Sequence, residues 1–75
     1  MDEAAKQMRT LFERMLEGFK AEVNERRRRG ETETEMYELL ADDEKIMIGK
    51  RLDEGLRILV IEKMRAIVRE VYRPS

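Results

Sequence analysis

The chain contains neither cysteine nor histidine in its 75 residues. Without cysteine it forms no disulfide, and without either residue it has no ligand set for zinc, haem or copper. The acidic run Asp42-Asp43-Glu44 lacks the alternating spacing and central glycine of a calcium loop. There is also no glycine-rich phosphate loop and no Glu-x-x-His pair. We therefore expect no cofactor, no bound metal and no enzymatic activity.

Long apolar runs are missing as well. The longest uninterrupted one, Ile58 to Ile61, has four residues, whereas a membrane-spanning helix needs about 20. The first residues, Met1-Asp2-Glu3, are acidic, unlike the basic start of a signal peptide. These features predict a soluble, cytoplasmic protein that does not bind membranes.

Charge of one sign is not in excess. Charged residues make up 44% of the chain, yet its net charge is only −1, and proteins that bind nucleic acid normally carry a basic surplus. Tryptophan is absent and there is one proline. The abundant residues, which include Leu, Met, Glu, Lys, Arg and Ala, are those that favour helices. The composition predicts a single all-α domain over residues 1–75.

The first helix is predicted over about residues 3–29. Its apolar residues recur every three or four positions and fall within an arc of about 140°; they are Ala4, Met8, Leu11, Phe12, Met15, Leu16, Phe19 and Val23. Four arginines and then Gly30 close the helix, since cations suit its C-terminal dipole and glycine adopts the left-handed conformation beyond it. A linker follows over about residues 30–34.

A short middle helix is predicted over about residues 33–40. Thr32 and Glu35 have the spacing of a capping box, and Asp42-Asp43 provides a new cap for a last helix over about residues 43–72, which stops before Pro74. The alternative is a continuous helix from residue 33 onward.

The last helix has a wide apolar surface, which covers more than about 200° of its circumference. One neighbouring helix covers only a stripe, so this helix must pack on more than one side. We expect a long hairpin of the first and last helices that dimerises into an assembly resembling a four-helix bundle. Covering by a different protein fits equally well, and the dimer's orientation stays open. The predicted dimer or partner interface consists of Met36, Leu40, Ile58, Ile61, Met64, Val68 and Tyr72.

The run of four arginines is a candidate phosphate-binding site. Arg26, Arg27, Arg28 and Arg29 could add salt-dependent affinity for nucleic acid. On a helix, however, they point in four directions, and cations at a helix C-terminus also favour its dipole while staying solvated. We favour this second interpretation.

Three charged residues lie on or beside the apolar arc of the last helix. Arg57, Lys63 and Glu70 are candidate buried charges that could bind an anionic ligand or set the register of a dimer. Pairing with a neighbouring helix, or a lysine head that reaches the surface, explains them more simply.

The leading hypothesis is a non-enzymatic, homodimeric interaction module, such as an adaptor, chaperone or regulator, that binds itself and another protein. The alternative is a small nucleic-acid-binding regulator that uses Arg26–Arg29. A weaker third hypothesis is a ligand-binding or catalytic bundle built around the candidate buried charges.

Overall fold

The computed structural model describes residues 2–73, which form three helices. They are α1 (Asp2–Arg28), α2 (Glu33–Gly49) and α3 (Glu54–Tyr72), and no strand is present in this part of the chain. The all-α prediction is confirmed. Met1, Pro74 and Ser75 lie outside the described residues, and the predicted end of the last helix at about residue 72 is confirmed.

The end of α1 agrees with the prediction to within one residue. Gly30 has a φ of 92°, its N–H donates to the Arg27 carbonyl at 3.0 Å, and the Glu31 N–H donates to the Arg26 carbonyl at 3.1 Å. This pair of hydrogen bonds is the Schellman motif, which satisfies carbonyls that the helix leaves unpaired.

The predicted capping box at the start of α2 is confirmed. The Thr32 hydroxyl accepts the Glu35 N–H at 3.1 Å, and the Glu35 carboxylate accepts the Thr32 N–H at 3.3 Å. Two donors of the first turn are thereby satisfied, and the chain direction on entering α2 is fixed.

The predicted break within residues 41–44 is wrong. The helix continues through this segment to Gly49, and the chain reverses over residues 50–53 instead. Asp53 caps α3, because its carboxylate accepts the Leu56 N–H at 3.0 Å. The last helix is thus 19 residues long rather than about 30, and the continuous-helix alternative holds only as far as Gly49.

The end of α2 repeats the geometry of the end of α1 without a glycine. Arg51 has a φ of 57°; its N–H donates to the Ile48 carbonyl at 3.0 Å, and the Leu52 N–H donates to the Met47 carbonyl at 3.1 Å. The left-handed position that Gly30 occupies after α1 is therefore held by an arginine after α2.

Replacing Arg51 with glycine is expected to raise the free energy of unfolding by about 0.5–1 kcal/mol, since the left-handed strain exceeds the entropy cost of glycine. Urea denaturation measures the change. Lys50→Gly is the matched control, because Lys50 has a φ of −86° and gains nothing from glycine. Equal changes in the two variants would contradict the assigned strain.

Helix α3 is the centre of the fold. It packs against both α1 and α2, which touch each other little. The buried core contains eight side chains, five of them from α3: Val23, Met36, Leu40, Val60, Ile61, Met64, Val68 and Val71. The second apolar face of the last helix, which seemed to require another chain, is therefore covered within this one.

The hairpin of the fold is formed by α2 and α3, and α1 lies along the other side of α3. The Tyr72 hydroxyl donates to the Glu31 carbonyl at 2.7 Å, and the Lys20 ammonium lies 3.0 Å from the Glu70 carboxylate. The C-terminal ends of α1 and α3 therefore lie together beside the first connection. The described chain measures 44 × 27 × 19 Å, close in its long dimension to the roughly 40 Å of a 27-residue helix.

Candidate interaction surfaces

The predicted interface residues lie mainly inside the molecule. Met36, Leu40, Ile61, Met64 and Val68 belong to the core between α2, α3 and the end of α1. Tyr72 is half-buried, and Ile58 alone of this set is exposed. Because α2 folds back onto α3, most of the residues predicted to meet a second copy meet their own chain instead.

A different apolar surface is exposed on α1. Met8, Leu11 and Met15 have 72%, 65% and 43% of their surface accessible, and with the exposed Ala4 they form a line that we call the free stripe. The neighbouring series Phe12, Leu16, Phe19 and Val23 packs towards the core. Helix α1 therefore has two apolar faces, of which α3 covers one.

The sequence contained a signal for this division. Ala4, Met8, Leu11 and Met15 are spaced four, three and four residues apart, and the covered series has the same spacing. Two such series side by side form one continuous arc on a helical wheel. The helical wheel therefore shows one apolar arc on α1, although only half of this arc faces the core and the free stripe is exposed.

A second exposed apolar region surrounds the α2–α3 connection, and we call it the turn end. Its residues are Ile46, Ile48, Leu52, Leu56, Ile58 and Leu59. Arg57 lies in the same part of the fold, half-buried, with its guanidinium paired to the Glu44 carboxylate. This pair ties α2 to the first turns of α3.

The other two candidate buried charges are exposed, which corrects that interpretation. Lys63 lies on the outer face of α3, and Glu70 pairs with Lys20 across α1 and α3. Within residues 2–73 no buried residue is polar or charged. The wide apolar arc of the last helix included its outer flank, so these positions looked central on a wheel but lie outside the core.

An open groove of about 740 Å³ runs along the outer face of α3. It is lined by Tyr37, Leu59, Glu62, Lys63, Arg65, Ala66 and Arg69. The Tyr37 hydroxyl donates to the Glu33 carboxylate at 2.6 Å; burial, and then this contact, raises the pKa of Tyr37. The same hydrogen bond, together with Arg73, lowers the pKa of Glu33. The tyrosine is therefore held as a neutral donor within the protein.

The four arginines are compensated by groups of the same chain. Arg26 lies 3.1 Å from both the Glu22 and the Glu31 carboxylates, and hydrogen bonds to Glu22 and then Glu31 raise its pKa. Arg28 and Arg29 lie 3.5 and 3.6 Å from the Glu25 carboxylate. Arg27 stacks over the Tyr72 ring, 5.9 Å from its centroid. The cluster therefore forms a helix end with its own counter-ions.

Comparison with known proteins gives no match to this chain among family models, curated proteins or solved structures. Across residues 2–73 no helix combines the length and apolar character that crossing a membrane requires. In the same described part, no group of three or more acidic side chains is placed to hold a metal ion.

Proposed function

We propose that this chain is a non-enzymatic helical interaction module that works as a homodimer. The observation that carries the proposal is the amount of large apolar surface left uncovered. Nine large hydrophobic side chains are between 39% and 72% exposed, and they fall into two regions, the free stripe and the turn end. Large apolar side chains left exposed near one another mark candidate protein interaction sites.

The small core supports the same proposal. Within residues 2–73, eight side chains are buried hydrophobics, and domains of about this size commonly need disulfides, metals or oligomerisation in addition. The sequence has no cysteine, so no disulfide contributes. Association of two copies would supply the missing burial.

The contacts of the charged residues favour this function over the two alternatives. Arg26, Arg28 and Arg29 already have carboxylate partners, so phosphate binding would have to displace them. Lys63 and Glu70 lie on the surface, where water weakens their attraction for a small anion. Neither nucleic-acid binding nor anion binding is supported by a set of unpaired charged side chains comparable to the exposed apolar side chains.

Sedimentation equilibrium tests the proposal against the 9.0 kDa mass of the chain. We expect a mass of twice that value at micromolar concentrations, and no retardation of duplex DNA or RNA at physiological salt. A monomer at every concentration up to about 1 mM, where binding would be worth only about 4 kcal/mol, would contradict homodimerisation. Retardation that Arg-to-Ala replacement at Arg26–Arg29 abolishes would favour the nucleic-acid alternative.

A further inference from the structure

The first part of α1 has no cover from the rest of the chain. Every residue from Asp2 to Leu11 is exposed, and only Val23 of this 27-residue helix is fully buried. Helical segments of fewer than about 12–15 residues are marginal in water without tertiary packing. The first turns of α1 are therefore held only by their continuity with the packed part of the helix, and a packing partner would stabilise them.

The free stripe has the spacing of a helix–helix seam. Its intervals of four, three and four residues average about 3.7, close to the 3.6 residues of one helical turn, so the four side chains stay on one face that a second helix can contact. A groove of about 360 Å³ beside it, lined by Lys6, Gln7, Thr10, Leu11 and Arg14, provides a recess for side chains of such a helix. The best-fitting occupant is a helix with the same kind of stripe.

The charges beside the stripe favour an identical helix in the opposite direction. Residues 2–15 carry three acids and three bases, so two copies meet without net repulsion. Glu3 and Arg14 lie about 20° apart in projection, on one flank of the stripe. Neither has an ion-pair partner in the described part of the chain. In an antiparallel pair the same flanks of the two helices lie side by side, so Glu3 of each copy approaches Arg14 of the other. In a parallel pair this flank lies beside the opposite flank of the partner, and Glu3 and Arg14 do not meet.

From these observations we infer that a second copy of this chain docks on the free stripe, with the two α1 helices antiparallel. The inference rests on the homodimer proposed above. It places the dimer seam on Met8, Leu11 and Met15 instead of on α3. A two-fold axis across the stripe makes the contact closed and self-complementary, and it leaves the turn end uncovered.

Leu11→Glu is the direct test, because it places a carboxylate in the centre of the seam twice in each dimer. We expect the dimer dissociation constant to rise roughly 100-fold or more. Leu59→Glu is the matched control, since Leu59 is also exposed but belongs to the turn end, and it should dimerise like the unmodified chain. Sedimentation equilibrium measures all three proteins, and circular dichroism with a urea titration checks that each variant keeps its overall helicity and a cooperative transition.

The possible results distinguish an error in the proposed homodimer from an error in the position of its interface. A monomeric unmodified chain overturns both the homodimer and its seam. A dimeric unmodified chain whose Leu11→Glu variant dimerises equally well overturns the seam alone. Loss of dimerisation in Leu59→Glu but not in Leu11→Glu also overturns it, because the contact then lies at the turn end.

Orientation is tested by cross-linking, which the absence of native cysteine makes clean. Gln7→Cys and Arg14→Cys chains are mixed, one of them carrying a size tag, and then oxidised. An antiparallel seam predicts mainly the mixed disulfide between positions 7 and 14. Predominant 7–7 and 14–14 products would overturn the antiparallel arrangement, and an absence of cross-links in a dimeric mixture would overturn the seam.

Discussion

Replacing Ile61 with aspartate is expected to unfold the chain itself, rather than to separate two folded copies. Ile61 is only 2% exposed within a single chain, so the new carboxylate is removed from water, and Arg57 one turn earlier is already paired with Glu44. Burying an unpaired charge costs several kcal/mol. The whole stability of a 75-residue chain is of the order of 4–11 kcal/mol, so the substitution removes most or all of it.

Circular dichroism and a urea titration measure this result. Ile58→Asp is the control, because Ile58 lies three residues earlier on α3 and is 43% exposed. It should keep native helicity and a cooperative transition. If the Ile61→Asp variant stays fully helical but becomes monomeric, Ile61 lies at an interface between chains, and the packing of α3 against α2 described above is wrong.

Leu40→Ala is expected to lower the free energy of unfolding by about 2–5 kcal/mol. Leu40 is completely buried, at 0% exposure, and belongs to the core that joins α2 to α3. Leucine and alanine both favour helices, so the loss comes from apolar burial and from the cavity that remains. A loss of this size lowers Tm by roughly 10–30 °C in a domain of 60–100 residues.

Leu59→Ala is the control, because it makes the same leucine-to-alanine change in a helix at a position that is not buried. Leu59 lies on a helix like Leu40, but 46% of its surface is exposed. We expect its effect on unfolding to stay below about 1 kcal/mol. Thermal denaturation of both variants at equal concentration gives the comparison, and equal losses would refute the assignment of Leu40 to the core.

The sequence predicted the helices best where a local chemical signal marks their ends. Gly30 after a basic last turn and the Thr32–Glu35 capping box both have the predicted hydrogen bonds. The end of α2 lacked such a signal, because Arg51 occupies the left-handed position that usually contains glycine. The cap was therefore assigned to Asp42-Asp43, whereas Asp53 caps the last helix.

The candidate surface was harder to predict than the fold. The apolar pattern showed that α3 needs cover on two sides, but periodicity does not specify whether the cover comes from the same chain. Once the chain reverses at residues 50–53, Met36 and Leu40 reach α3 and replace the expected second copy. The apolar side chains left exposed then lie at the turn end and on α1, where the pattern had indicated an ordinary core face.

The central position of α3 also determines when the protein can fold during its synthesis. Helices α1 and α2 leave the ribosome first, yet they touch each other little and share no core until α3 arrives. The chain grows at about 5–20 residues per second, whereas a helix relaxes within about a microsecond. For roughly a second or more, α1 and α2 are therefore complete as segments but have nothing to pack against. The full core can form only once α3 has emerged, so a chain that stops before Val68 lacks part of the core that holds the rest together.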